Sequence, residues 1–391
     1  MRKICIYTST RAEYGILRNL VDGLLRHPNV RLQLLVSGTH LVAEYGLTVR
    51  EIEADGHRID EKVEMLLASD SQSGICKSMG LALIGYSDAL VRLQPDILVI
   101  LGDRFEAFCC ATAAHVCRIP IAHIHGGERT EGVIDDAFRH AMTKMAFLHF
   151  PCCEEYRHRI IQLGESPDRV FNVGALGAEN VQNTRLLSLA ELTRSVENWP
   201  CYKKYFLVTF HPVTLGKTSN DSMRQMKALL AALDSYTTHG VVLTGTNADT
   251  ANREIRELCK TYADENPDRA VLVESLGELR YLSAMKHADA VVGNSSSGLL
   301  EAPVMNVPTV NIGNRQAGRF KPSSVIDCEP QKEAITAAIG KSMDPIFRSM
   351  IPAMPLPMLK EDTAKNVIDV LVNHSLDRMT KSFFDISFDL P

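Results

Sequence analysis

The chain has no apolar run of the roughly 20 residues that a membrane-spanning helix needs. Its start, Met1-Arg2-Lys3, leads directly into the strand-like Ile4-Cys5-Ile6-Tyr7. A secretory leader would need a longer apolar segment and a small-residue cleavage site, so the expected location is cytoplasmic. The ten cysteines contain no Cys-x-x-Cys pair, which argues against a zinc site of the usual spacing. The vicinal pairs Cys109-Cys110 and Cys152-Cys153 read as reduced, partly buried thiols. Excess positive charge is absent too. A net charge of −5 argues against a general nucleic-acid or anionic-membrane binder, yet local arginines and backbone donors can still hold a small anion. Fixed-period repeats and low-complexity segments are missing. The turn after the first strand, Thr8-Ser9-Thr10-Arg11-Ala12-Glu13-Tyr14-Gly15, lacks the Gly-x-Gly-x-x-Gly fingerprint, which argues against a dinucleotide cofactor there.

What is present is an ordinary globular composition, 45% hydrophobic and 23% charged, over 391 residues. That length favours two cores. Short apolar runs alternate with helical patterns. Strands are expected at Lys3–Tyr7, Arg31–Val36, Ile97–Leu101, Ile119–Ile124, Leu148–Pro151 and Val170–Val173, with helices such as Ile75–Leu93, Glu106–Cys117 and Asp135–Ala146. The pattern restarts after a polar stretch near Asn183 to Pro200, with strands at Tyr205–Phe210, Val241–Leu243, Ala270–Val273, Ala290–Val292 and Thr309–Ile312. Such alternation predicts α/β architecture with parallel sheets, as two Rossmann-like doubly wound domains facing a cleft. The expected division is residues 1–180 and 181–358, with residues 359–391 returning to the first domain as a C-terminal helix.

Ionisable residues crowd at the strand ends. Leu101-Gly102-Asp103-Arg104-Phe105-Glu106 and His123-Ile124-His125-Gly126-Gly127-Glu128 each follow a buried-strand run, and Ile134-Asp135-Asp136-Ala137-Phe138-Arg139-His140 comes next. Open α/β sheets place ligands at the carboxyl ends of their strands. His123 and His125, two apart on a strand, would share a face, but no further ligands stand at metal-site spacing. Asp135 with Arg139 and Asp136 with His140 also fit simple i,i+4 helix pairs, worth about 0.3–0.5 kcal/mol each. Gly293-Asn294-Ser295-Ser296-Ser297-Gly298 is either a phosphate cradle or a plain serine N-cap, and Glu301 lies one turn on. Arg315 and Arg319, among glycines after another strand, suit a diphosphate or a solvated loop. Arg11 points into the cleft or pairs with Asp103. His211, before Pro212, ends a second-domain strand at the cleft.

This ordered set resembles the hydrolysing UDP-N-acetylglucosamine 2-epimerases of sialic acid biosynthesis. The likeness runs from Thr10-Arg11-Ala12-Glu13-Tyr14-Gly15 through Phe210-His211-Pro212 and Asn247-Ala248-Asp249-Thr250 to the tail Lys381-Ser382-Phe383-Phe384-Asp385-Ile386. It implies the two-lobed glycosyltransferase-B fold and a UDP-sugar substrate, with UDP on the second lobe. Ser295 and Ser296 would hold the diphosphate, Glu301 the ribose, and Arg11 and Arg315 phosphate oxygens, with Arg104 and Asn247 as further contacts. The implied reaction is anti elimination of UDP to a 2-acetamidoglucal, then hydration to N-acetylmannosamine, without cofactor or metal. Asp103, Glu128 and Asp135 are the expected acid–base carboxylates, and His211 would assist at the diphosphate or the sugar. His125 stands where some members carry a catalytic glutamate, so its role is not inherited. Homo-oligomers, dimers or tetramers, are also implied. The rival readings are the same chemistry on UDP-2,4-diacetamido-2,4,6-trideoxyglucose, a glycosyltransferase of the same fold, and a UDP-sugar binder without turnover.

Overall fold

The computed structural model describes all residues except 70, 132, 213–219, 246–251, 377–379 and 388–391. Twelve strands among the described residues form two six-stranded sheets, every pairing parallel. The first contains β1 (Arg2–Thr8), β2 (Val30–Ser37), β3 (Glu61–Val63), β4 (Ile97–Leu101), β5 (Ile121–Ile124) and β6 (Leu148–Phe150). The second contains β7 (Tyr205–Thr209), β8 (Gly240–Thr244), β9 (Ala270–Val273), β10 (Ala290–Gly293), β11 (Thr309–Ile312) and β12 (Val325–Cys328). Their orders are β3-β2-β1-β4-β5-β6 and β12-β11-β10-β7-β8-β9. Counted from its own first strand, each sheet therefore has the order 3-2-1-4-5-6 of a doubly wound nucleotide-binding fold.

The inner strands are buried end to end, as Ile97–Leu101 and Tyr205–Thr209 show. Continuous apolar strands are what a sheet covered on both faces requires. In the first lobe one face packs on the helix Arg11–Arg26 and the returning helix Thr363–Asn373, through Leu17, Leu20, Val367 and Leu371. The other face packs on the helices Gln72–Leu93 and Phe105–Val116, through Tyr86, Ala89, Cys109 and Ala113. All ten cysteines are free, and both vicinal pairs are buried. No helix among the described residues is long and apolar enough to cross a membrane.

Two expectations are corrected. Among the described residues the C-terminal helix runs over Thr363–Asn373 rather than over 359–391. Beyond it the described tail has no regular structure. Lys381 is held there by the carbonyls of Lys144 (2.7 Å) and Ala146 (2.6 Å) and by the Glu165 carboxylate (2.8 Å). These side-chain bonds replace the intrahelical ladder that the tail lacks. Val170–Val173 forms no ladder strand: it lies beside β6 through an isolated parallel bridge between His149 and Val170, with the Phe171 N–H donating to the His149 carbonyl (2.9 Å) and the Val173 N–H to the Pro151 carbonyl (3.3 Å).

Each order reverses between two central strands, β1 and β4 in one lobe, β7 and β10 in the other. Gly293 ends β10 at the second of these points with φ of 142°, and a Cβ there would lie 2.0 Å from the carbonyl oxygen of Thr209. Neither the backbone angle nor the space admits a side chain. Gly293→Ala is expected to lower stability by about 3 kcal/mol or more. A shift of the thermal or urea midpoint within experimental error would show that the two strands can separate to accept the methyl.

Candidate active site

The first half of the site grows from the ends of β1, β4 and β5. Thr10 caps the helix Arg11–Arg26, accepting from the Glu13 N–H, while the Glu13 carboxylate returns to the Thr10 backbone. Glu13 is buried and also accepts from the Ser9 N–H (2.6 Å) and hydroxyl. Burial still raises its pKa to about 7 against those hydrogen bonds. At the end of β4, Gly102 turns the chain with φ of 79° and presents Asp103. The ring of His123 donates from Nε2 to the Gly102 carbonyl at 2.7 Å and meets Thr143 through Nδ1 at 3.3 Å. Both His123 nitrogens are thus engaged, and burial lowers its pKa to about 4. Arg104 forms a buried two-pronged pair with Glu106, at 3.1 and 3.0 Å.

Arg139 lies at the centre, its side chain 1% exposed. It donates to Asp103 from Nη2, to Thr130 Oγ1 at 2.8 Å, to Asp136 at 2.9 Å and to the Glu128 carbonyl at 3.1 Å. Asp103 therefore pairs with Arg139 and not with Arg11, whose Nη1 reaches Ser275 in the second lobe at 3.0 Å. Asp136 also faces His140 at 3.5 Å, as the helical spacing predicts. Asp135 opens the same helix and lines the cavity.

His125 does not share the strand face of His123. β5 ends at Ile124, and His125 takes φ of 63° in the left-handed region. Its Nδ1 lies 2.8 Å from Glu128 Oε1. A carboxylate accepts, so Nδ1 carries the proton and Nε2 of a neutral ring is left with its lone pair. That Nε2 is buried without a hydrogen-bond partner among the described residues. Glu128 Oε2 meets Arg319 of the second lobe at 2.8 Å. Burial alone would raise the Glu128 pKa, but Arg319 and His125 hold it below the usual carboxylate range.

The second half grows from β7 and β10. The Asn294 amide clamps the two strand ends, accepting from the His211 N–H at 2.7 Å and donating to the His211 carbonyl at 2.8 Å. The Asn294 carbonyl in turn accepts from Arg315 Nη1 (3.1 Å) and Gln316 Nε2 (2.7 Å). Ser295, Ser297 and Tyr281 form a hydroxyl chain, with 3.1 Å between the serines and 2.6 Å from Ser297 to Tyr281. Glu301 is 7% exposed, and its Oε2 has no hydrogen-bond partner among the described residues. Burial raises its pKa to about 7.

These halves enclose two adjoining cavities that share Ala12, Ile16, Ser296 and Arg315. One is lined by Arg11, His211, Ser295, Glu301 and Tyr281. The other is lined by Asp103, Arg104, His125, Glu128, Asp135 and Arg139. Every site residue expected from sequence lines one or both, except Asn247, which falls outside the described residues. Arg139 and Arg319 are the important additions. Arg139 was legible only as a helix-pair partner, and Arg319 only as a diphosphate contact. Donor atoms of His125, Glu128 and Cys152 lie within 4.8 Å of one another. An arginine 2.8 Å from Glu128 opposes a cation there, so the group is poorly suited to a metal.

The family described as UDP-N-acetylglucosamine 2-epimerase matches residues 23–372. The chain belongs to that family. It is similar to a GDP/UDP-N,N'-diacetylbacillosamine 2-epimerase (hydrolyzing) of Campylobacter jejuni, 42% identical over 84% of each chain. It is also similar to the polysialic acid biosynthesis protein P7 of Escherichia coli, 39% identical over 99% of this chain and 98% of that one. Among solved structures, the UDP-GlcNAc 2-epimerase from Neisseria meningitidis bound to UDP-GlcNAc superposes with a TM-score of 0.77. That match has 16% identity and covers 96% of this chain and 100% of the other, and it supports the two-lobed glycosyltransferase-B fold.

The raised pKa of Glu301 has a defined consequence for stability. The folded protein holds this proton up to about pH 7, whereas an unperturbed glutamate releases it near 4.5. The folded state binds more protons between those values, so stability falls as pH rises through that window. Glu301→Gln is expected to remove up to about 3 kcal/mol of that fall in the ligand-free protein. Unfolding midpoints of both proteins between pH 4.5 and 8 test this. Parallel curves would mean that Glu301 ionises without strain.

Proposed function

We propose that the protein is a hydrolysing UDP-N-acetylglucosamine 2-epimerase, converting UDP-N-acetylglucosamine and water to UDP and N-acetylmannosamine. The observation that carries this reading is the pair of adjoining cavities. One holds an anion-binding set, and the other an imidazole–carboxylate pair with a free buried nitrogen.

Elimination breaks the C2–H and C1–O bonds of the sugar. The proton passes to a base, and the electron pair forms the C1–C2 double bond while UDP leaves. Arg11, Arg315 and the Ser295 and Ser296 hydroxyls stabilise the charge on the departing diphosphate, His211 lies beside them, and Glu301 accepts from the ribose hydroxyls. Arg104 contacts the UDP-sugar from the first lobe. On the sugar side, His125 Nε2, oriented by Glu128, exchanges protons with the substrate, and Asp103 and Asp135 complete the acid–base set. Water then adds its hydroxyl to C1, and a proton reaches C2 from the opposite face. A base in a buried cavity suits a weakly acidic carbon-bound hydrogen, because water does not compete for it.

The nearly full-length match to the Escherichia coli polysialic acid protein favours N-acetylglucosamine and a sialic acid route. The second reading, favoured by the higher identity to the Campylobacter enzyme, is the same chemistry on UDP-2,4-diacetamido-2,4,6-trideoxyglucose. Proton NMR in D2O with each UDP-sugar separates the two. UDP with C2-deuterated N-acetylmannosamine supports the first. Release only from the diacetamido sugar supports the second, and no UDP from either overturns both.

Asp103→Asn keeps an acceptor for Arg139 and is expected to fold. It should lose about a hundredfold to ten-thousandfold in turnover, the range for removing an acid–base group. Near-full activity would remove Asp103 from the chemistry.

A further inference from the structure

The second-lobe segment after β11 makes a continuous hydrogen-bonded path between the two halves of the site. The path starts at Asn294, whose amide clamps His211. Gln316 Nε2 donates to the Asn294 carbonyl at 2.7 Å, and Gln316 Oε1 accepts from Arg319 Nη1 at 3.0 Å. Arg319 Nη2 then reaches Glu128 Oε2 at 2.8 Å and lies 3.9 Å from Asp103. Glu128 Oε1 ends the path on His125. The segment is seated on the first lobe on both sides of Arg319. The Glu131 N–H donates to the Ala317 carbonyl at 3.0 Å, and the Phe320 N–H donates to Tyr156 Oη at 2.8 Å. Gly318 has φ of 86°, and a Cβ there would lie 2.6 Å from Arg129. Arg319 is therefore delivered by a tight turn to one place.

We propose that Arg319, although carried by the nucleotide-side lobe, is a positioning residue for the His125–Glu128 pair of the sugar-side lobe. The acid–base centre is thus complete only when both lobes supply their part. This rests on the proposed acid–base role of that pair. A guanidinium can hold Glu128, Gln316 and the neighbourhood of Asp103 at once because its donors point in several fixed directions. A buried Glu128 without this cation would be driven toward its neutral form and would no longer fix the His125 tautomer. The groups facing Glu128 are His123, His125, Arg139, Cys152, Cys153, Tyr156 and Arg319. Among them Arg139 is occupied by Asp103 and Asp136, and Cys152 and Tyr156 are neutral, their pKa values raised by their surroundings. Arg319 is the cation whose removal leaves Glu128 undercompensated.

The test uses the full chain and the variants Arg319→Gln and Arg319→Lys, with three readouts. Turnover of the UDP-sugar that the wild-type protein processes should fall about a hundredfold or more in Arg319→Gln. UDP affinity, by calorimetry, should stay within about threefold, because binding and chemistry are separate terms. The Glu128 ionisation, followed by carboxyl carbon-13 NMR and assigned by its loss in Glu128→Gln, should move to higher pH in Arg319→Gln. It should largely return in Arg319→Lys, whose point charge restores the field but not the fork. A merely structural role would lower UDP affinity and stability together and leave that titration where it was, which overturns the proposal. Turnover within threefold of wild type also overturns it. If the wild-type protein released UDP from neither sugar, the proposed function would fail, and the titration would still decide whether Arg319 governs Glu128.

Discussion

The geometry of the first-lobe half of the site depends on the burial of one charge. Arg139 has almost no contact with water, and a guanidinium in that position is tolerated only when its donors are answered by acceptors. Those acceptors are Asp103, Asp136, Thr130 and the Glu128 carbonyl, so satisfying the charge also draws the ends of β4 and β5 and the helix Asp135–Met145 to one point. Breaking such a buried pair typically costs about 3–5 kcal/mol, which makes the arrangement resistant to loosening. His123 closes the same structure from below by donating to the Gly102 carbonyl, which fixes the peptide that aims Asp103. The supports of this half are buried charges and hydrogen bonds, whose loss without replacement is costly.

The two sheets repeat one solution at their switch points. In the first lobe the gap between β1 and β4 is flanked by the Thr10–Glu13 capping box and by Asp103. In the second, the gap between β7 and β10 is bridged by the Asn294 amide, whose two bonds to His211 stand where a sheet ladder has run out. A side-chain amide is suited to this because it offers one donor and one acceptor in the spacing of a peptide. The backbone carbonyl of Asn294 then anchors Arg315 and Gln316, so the segment after β11 inherits its position from the strand ends.

The inner strands were legible because parallel strands buried on both faces are continuous apolar runs, as in Ile97–Leu101. The edge strands β3 and β12 were not, since Glu61-Lys62-Val63 and Val325-Ile326-Asp327-Cys328 are short and partly polar. The helix Arg11–Arg26 carries a start signal in the sequence, because Thr10 and Glu13 form a reciprocal cap. Asp103, His125 and Glu128, which line one cavity, are conspicuous in the sequence because they are ionisable residues next to strand ends and glycines. The binding of Arg139 to Asp103, and of Arg319 to Glu128, joins residues 36 and 191 positions apart in the numbering. No local pattern encodes either. The shared face expected for His123 and His125 failed for a local reason, the end of β5 one residue too early.

Two kinds of buried glutamate divide the cleft, and the difference between them is a cation. Glu128 is buried against Arg319 and stays ionised, so it can hold a histidine proton and orient the ring. Glu301 is buried without a paired cation among the described residues and is drawn toward its neutral form near pH 7. In the proposed reaction a diphosphate entering beside Arg315, Ser295 and Ser296 would bring negative charge close to Glu301, and a fixed carboxylate there would repel it. A group that titrates near neutrality avoids that conflict, because it can keep its proton while still accepting from sugar hydroxyls. The same low-dielectric cleft thus supports fixed negative charge in the first-lobe cavity, where the proposed reaction places proton transfer. It withholds that charge in the second-lobe cavity, where the leaving group of the proposed reaction would supply its own.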